Sequence, residues 1–571
     1  MFKRCLIPLI VALGMSSEAS FALSQNYAHV YERHNCVKDI NTHLRENGLW
    51  LSNCRLKDSD MSEVVNFINT HDEIRWVDLS YNQLSDEGVA SFANNLKVSL
   101  TSLNLSFNEI SGKGVVSLSK IQSLQELDLG NAKLDDSAAF AIANLTSLVG
   151  LNVRNNAFTD KAIPTFVKLK DLSYFNAEHN RLTDKGVVTL AEQHPELVQL
   201  FLEGNQVGVA GAKAIGKLKN MDFLTLDTDI GDEGFHAIAQ LPQIRELMLA
   251  NINLHDNKAL GELSNAPLNE LSMINCNLTD EGMIELSKNK RLGGVYLDNN
   301  NIGDAGALAL ANMSLFLAQL PNNHVGNVGA VALSKLPDLF ELDLSHNNLG
   351  NEAAVAISKN ANLGAINLAD NAIDDIGALV LAAGNNAYDL DLSGNPITDK
   401  SVIALASDES KQYKYLILNR INIGKLGLEA LANSKNIELI ISVEGNHLND
   451  ADAEIVSRNN TIGHLYLGNN DISDEGVVAI LNNHHFWGLH LHNNNIGDKG
   501  AFALAKADHI GRLDVSHNHI SKAGIDALRA NESIYDLNVD GNDGLTIENH
   551  RQFEFHSKHH MIARRETIRQ E

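Results

Sequence analysis

Residues 339–362, LFELDLSHNNLGNEAAVAISKNAN, decide the fold. In the first half, Leu342 and Leu344 alternate with Glu341, Asp343 and Ser345, a period of two that predicts a short strand. In the second half, Ala353, Ala354, Ala356 and Ile357 recur at helical spacing and predict a short helix. Leu363 then restarts the cycle. A unit of this size cannot bury its apolar side alone, so it requires copies of itself stacked on either side.

The copies are present. An Asn closing an LxLxxN pattern recurs at Asn82, Asn108, Asn156, Asn180 and Asn205, again from Asn300 to Asn395, and again from Asn446 to Asn542. The steps that lack it are Ala132, a slot near Asp229, Ile252, Cys276 and Ile421. Counting a first strand at Leu49–Leu51, residues 49–548 hold about 21 units of about 24 residues. The Asn is expected to form a ladder, its buried amide satisfying backbone groups of neighbouring layers where the chain turns inward. A small, weakly hydrogen-bonding Cys fits the same slot, so Cys54 and Cys276 read as structural. Ile252 and Ile421 cannot make those bonds, which predicts local irregularity.

The second half of many units opens on D/E-x-G, as in SDEGVASFA (85–93), TDKGVVTLA (183–191) and GDKGAFALA (497–505). Ser, Thr or Asp supplies an N-cap, and acidic residues in the first turn suit the helix dipole. The Gly is expected to permit close approach of adjacent layers.

These units resemble leucine-rich repeats, specifically the ribonuclease-inhibitor-like subclass, and within it the exported bacterial type. The resemblance implies an α/β solenoid, a curved horseshoe with a parallel β-sheet on the concave face and α-helices on the convex face. It further implies a binding role, with host interaction common among exported bacterial members. The repeat departs from that subclass in being shorter, which implies shorter helices.

Composition agrees with many small layers: 44% of the 571 residues are hydrophobic, only 5% are aromatic, and prolines number 8. At the N-terminus Lys3 and Arg4 precede an apolar run, Cys5–Met15, too short to span a bilayer, and small residues follow at Ser20 and Ala22. Residues 1–22 therefore read as a signal peptide and the mature chain as secreted or periplasmic. Residues 23–48 are expected to form a helical cap over the end of the core. In an exported protein Cys36 and Cys54 are candidates to close a disulfide over the first layer. Residues 549–571 form a basic, His-rich tail without the repeat.

The net charge of −26 argues against nucleic acid and favours a basic protein partner. The bias falls on the expected sheet face, where acids from Asp78 to Asp540 far outnumber Arg154 and Arg512. An apolar stripe crosses that face: Tyr174, Phe201, Phe223, Met248, Ile274 and Tyr296. With the neighbouring acids Glu203, Asp227, Glu246, Glu270 and Asp298, the part from Phe201 to Tyr296 is the candidate partner-binding site. A weaker second cluster joins Tyr415, Ile417, Tyr466 and His490.

No HExxH, paired CxxC, P-loop or GxSxG occurs, so no enzyme activity, cofactor or metal is expected. His490 and His492 lie two apart on one expected strand near His464 and Asp514, an arrangement able to ligate Zn²⁺, although exposed histidines are the plainer reading. Two other readings stand beside protein binding. One is an intracellular regulator resembling the GTPase-activating protein for Ran. The other is a structural envelope role.

Overall fold

The computed structural model describes residues 36–384, 387–483, 486–531 and 533–543. The expected signal peptide, the first part of the expected cap and the His-rich tail lie outside the described residues. The chain divides into two compact units, the first ending at Asn277 and the second beginning at Leu278.

The deciding stretch folds as its periodicities predict. Glu341–Asp343 is a strand and Asn351–Ile357 an α-helix. The strand pairs in parallel with Leu317–Gln319 on one side and Ala365–Asn367 on the other, in unbroken register. Leu342, Leu344, Leu349, Ala354 and Ile357 are fully buried between strand and helix. Each Leu or Ile so buried contributes roughly 1.5–3 kcal/mol. The same strand–turn–helix cycle repeats in both units. Among the described residues each unit holds eleven strands that pair with their neighbours in parallel, except where Leu44–Arg45 pairs antiparallel with Gly48–Trp50. This is the α/β leucine-rich-repeat architecture.

Asparagine ladders run through each unit. Asn108 illustrates the bonding. Its Oδ1 accepts from the backbone N–H of Leu84 in the preceding layer at 3.0 Å. Its Nδ2 donates to Leu79 O of that layer at 2.8 Å and to Leu105 O of its own at 3.1 Å. The residue before the ladder Asn takes a left-handed conformation, at Tyr81, Phe107, Asn155 and His179 among others, and at Gly204 where φ is 68°. Cys276 takes the slot of the Asn: its Sγ donates to Leu249 O of the preceding layer at 3.8 Å and to Ile274 O, two residues back, at 3.3 Å. Burial pushes its thiol up to about 12, so near pH 7 it stays protonated.

A second ladder, of aspartates, joins the helix starts of successive layers. The Asp that opens the second half of a layer, in the D-x-G starts and in D-x-A at Asp160, reaches to the helix start of the following layer. Asp160 accepts from Thr183 N at 2.8 Å and Thr183 Oγ1 at 2.6 Å. Asp474 does the same for the N–H groups of Gly497 and Gly500, at 2.7 and 2.8 Å. A carboxylate is thereby placed on the exposed amides and positive dipole end of the neighbouring helix. The Gly follows from this contact, because a Cβ on Gly186 would stand 2.4 Å from Asp160 Oδ1.

The irregularities fall near the residues that cannot join the ladder. The Ile252 layer is followed by a 3-10 helix, Asn257–Asn265. In the Ile421 layer the strand Tyr413–Ile417 slips register between Tyr413 and Tyr415. A further 3-10 segment, Ile163–Lys168, carries Pro164 near its start, where an amide is removed. In the described part of the expected cap, Cys36–His43 is a 3-10 helix kinked at Asp39. Leu44, expected to be helical, instead begins the antiparallel strand. A Cys36–Cys54 disulfide joins this segment to the first layer across a sequence separation of 18. Loop closure of that size stabilises a chain by roughly 3 kcal/mol.

Candidate functional site

In a regular layer the last strand residue on the sheet face is Asp or Asn, and its side chain is used locally. Asp78, Asn104, Asp128, Asn152 and Asn176 each accept a bond from the backbone N–H two residues on, at 2.8–3.0 Å. These Asx turns bend the chain out of the strand. Neighbours also join across strands, as where Asn152 Nδ2 donates to Asp128 Oδ2 at 3.1 Å.

The next four layers depart from that rule. Phe201, Thr225, Met248 and Ser272 occupy the Asx position, opposite one another in parallel register. Thr225 still serves the backbone, its Oγ1 accepting from Leu202 N at 3.2 Å. Phe201 and Met248 cannot, and both keep part of their surface in solvent. Phe223 lies one row away, opposite Gln199 on one side and Glu246 on the other. The Phe201 and Phe223 rings stack at 4.7 Å, and Tyr174 adjoins Phe201 at 5.3 Å, tilted. Ile274 pairs with Ala250 at the ends of their strands. The stripe expected to run in single file is therefore staggered between rows and forms a patch.

Acids border this patch. Glu246 and Glu270 are directly opposite on adjacent strands, about 4.8 Å apart along the sheet. Like charges so placed repel. Glu203 and Asp227 lie at the strand ends, where Asp227 Oδ1 accepts from Gly204 N at 2.7 Å. All eight of the expected site residues from Phe201 to Ile274 fall in the first unit and are half-buried. Tyr296 and Asp298 belong to the second unit, where both are buried, and Tyr296 stands opposite Gln319.

Several sheet-face acids are more enclosed than the sequence suggests. Asp78, Glu126, Glu341, Asp343 and Asp389 are buried, because side chains in rows at strand spacing cover one another. Burial pushes Asp78 up to about 6, against the lowering effect of its bonds from Ser80. It does the same to Asp391, also to about 6, and raises Asp128, Glu126 and Glu178.

The second cluster departs from the Asx rule in the same way. Ile417, Ser442, Tyr466 and His490 hold the position in four successive layers of the second unit. Here the groups pack on one another: Tyr466 and His490 stack at 3.8 Å with 4° between planes. Burial, reinforced by the Arg512 charge, holds His464 down at about 4. Burial also holds His490 down at about 3, with His464, His492 and Arg512 adding to it, so both rings are neutral near pH 7. His492 Nε2 instead meets Asn469 Nδ2 at 2.9 Å. Among the described residues the group suited to a metal is Cys36, His43 and Cys54, whose two thiols form the disulfide, and not the His490 cluster.

Comparison with known proteins follows the repeat. The profile of the family described as Leucine Rich repeat matches residues 75–93, 97–119, 120–143, 264–287, 295–311, 336–358, 359–382, 389–406, 458–481, 482–505 and 509–528. No curated protein matches the chain in sequence. Three solved structures illustrate the likeness. An internalin from Listeria monocytogenes str. 4b F2365 has 20% identity and a TM-score of 0.32, covering 63% of this chain and 83% of that one. The Arabidopsis receptor kinase HAESA, in complex with the peptide hormone IDA and the co-receptor SERK1, has 17% identity and a TM-score of 0.39, covering 87% and 85%. TLR13 in a complex with ssRNA13 has 16% identity and a TM-score of 0.46, covering 84% and 70%. Solenoids of this family typically serve protein or ligand binding rather than catalysis. With eleven matched segments and the strand–helix cycle repeated within each unit, the chain is a leucine-rich-repeat protein.

Proposed function

We propose that the protein is an exported, non-enzymatic scaffold that binds a basic protein partner on the sheet face of its first unit. The observation that carries this reading is the patch around Phe201, Phe223 and Met248. There the sheet-face side chains are released from Asx bonding, the rings stay in contact with solvent, and Glu246 faces Glu270. A lysine or arginine seated between those carboxylates would relieve their repulsion, while Phe223 beside them supplies an apolar anchor. Glu203 and Asp227 extend the acidic border, and a host protein is the partner class we favour. Secretion to the periplasm or exterior rests on residues 1–22, and the disulfide agrees with an oxidising compartment.

The test is capture of the partner with the mature chain, followed by affinity measurement at two ionic strengths. Glu246→Lys with Glu270→Lys is expected to weaken binding at least tenfold, about 1.4 kcal/mol, and to flatten its salt dependence. Unchanged affinity in that variant contradicts the reading.

A further inference from the structure

In each unit the edge of the sheet where the strands begin carries a row of side chains that the sheet-face site does not use. The row is formed by the residue just ahead of the segment that pairs with neighbouring strands, as Tyr388 stands ahead of Asp389 and Lys414 ahead of its partner Tyr415. Backbone bonds join the row from layer to layer: Tyr388 N donates to Gly364 O at 3.0 Å, and Tyr535 N to Gly511 O at 2.9 Å. In the first unit the row is mostly polar, with Thr101, Gln125, Ser173, Asp222 and Arg245, and it holds no ring. In the second unit it alternates. Phe340, Tyr388, Leu439, Trp487 and Tyr535 stand on every second strand, with Gly364, Lys414, Gly463 and Gly511 on the strands between. Trp487 is 56% exposed, and the other four large groups are half-buried.

The glycines let the rings lie down on the edge. A Cβ on Gly511 would stand 2.3 Å from Tyr535 Cε1, and one on Gly364 would stand 2.6 Å from Phe340 Cε2 and 2.9 Å from Tyr388 Cε1. Phe340 thereby props Tyr388 from the other side of Gly364, their ring centres 6.0 Å apart. A Cβ on Gly463 would meet Trp487 Cε3 at 3.7 Å and Leu439 Cδ1 at 3.9 Å. Tyr388, Trp487 and Tyr535 therefore each lean over the glycine of the preceding layer, and their rings keep the period of the backbone. At about 4.8 Å per strand, two strands span about 9.6 Å. Lys414 is the one charge in the row from Phe340 to Tyr535, with its Nζ 5.0 Å from the Tyr388 ring centre.

We propose that this row binds a proline-rich segment in the polyproline II conformation, laid along the edge with every third residue on a large side chain. That helix advances about 9.3 Å per three-residue turn. Over the six strand steps from Tyr388 to Tyr535 the row advances about 29 Å, and three turns of the ligand advance about 28 Å. An α-helix repeats about every 5.4 Å, and side chains on one face of a strand about every 6.7 Å, so neither keeps step with the row. Polyproline II leaves its carbonyls unbonded, and the Trp487 indole N–H, the Tyr535 O–H and the Lys414 ammonium are donors along the row. A glycan fits less well, because it would turn hydroxyls toward Gly364, Gly463, Gly511 and Leu439, whose side chains offer no hydrogen bond. The row lies in the second unit and does not rest on the acidic patch of the first.

Fluorescence titration of the full chain with an oligoproline of about twelve residues tests this. Trp487 is the only tryptophan of the second unit, and Trp50 and Trp76 lie in the first. The expected result is a saturable blue shift, the same at low and high salt because the row carries a single charge. The shift is expected to be absent with a Gly/Ser peptide of equal length and with a chito-oligosaccharide. Trp487→Ala is expected to weaken binding about tenfold by calorimetry and to leave the melting temperature unchanged, since the ring is exposed. Gly511→Val is expected to weaken binding as well, because its side chain takes the place of the Tyr535 ring. No shift with oligoproline, a shift of equal size with the Gly/Ser peptide or the chito-oligosaccharide, or full affinity in the Trp487→Ala protein overturns the proposal.

Discussion

Two stretches of the first unit share one backbone and use it differently. From Trp76 to Asn180 the layers carry a ladder Asn or a small residue in its slot, an Asx turn at each strand end, and buried acids such as Asp78. From Phe201 to Ser272 the strands keep parallel register, yet both the Asx turns and, beyond Asn205, the ladder Asn are lost. Regular layers therefore spend their polar sheet-face side chains on their own backbone. Layers that forgo this leave side chains available to another molecule and give up some local stability.

The largest expected effect strikes the regular stretch. Asn180→Ala removes an amide that accepts from Phe158 N and donates to Val153 O and Ala177 O, orphaning buried groups. A loss of about 3 kcal/mol is expected, read as the urea midpoint of the first unit and as faster amide exchange around that layer.

Next comes pH. Asp78 is raised from 3.8 to about 6 in the fold, so between those values the folded chain holds a proton that the unfolded chain releases. Its contribution is complete below pH 3.8 and is lost as pH rises through 6, roughly 3 kcal/mol in all. Asp78→Asn is expected to flatten that part of the stability profile. An unchanged profile would show that Asp78 stays solvated and would erase one difference between the stretches. A smaller loss, about 1 kcal/mol, is expected for Cys276→Ala, whose S–H bonds are weak. A loss equal to that of Asn180→Ala would mean that the irregular layers depend on their ladder slot as much as the regular ones.

The smallest stability effect sharpens the comparison from the other side. Met248→Asp writes a regular-layer residue into the patch, with the backbone N–H of Ala250 two residues on. A change within about 0.5 kcal/mol is expected, together with weaker partner binding.

What the sequence made legible follows from period. Leu342, Leu344 and Asn347 recur at fixed spacing because each layer must match the next, so fold, ladder and Cys276 substitution could be read directly. Contacts between layers could not. That Asp160 serves the helix beginning near Thr183 depends on how closely helices stack, which spacing within one unit does not reveal. The same holds for the burial of Asp78, Tyr296 and Asp298, which depends on neighbours across the sheet. The Asx rule left a signal that could have been found: Asp or Asn two residues before Ser in DLS, as at Asp78, Asp343, Asp391 and, in DVS, Asp514, against its absence at Phe201 and Met248. It would have separated acids that bond their own chain from those that border the patch.

The most direct test of the central claim is the affinity of Phe223→Ala for the captured partner, compared with wild type at one salt concentration. Loss of a partly exposed ring at the centre of the patch is expected to cost at least tenfold in Kd while leaving the urea midpoint within about 1 kcal/mol of wild type. Full affinity in a folded Phe223→Ala protein would contradict the account.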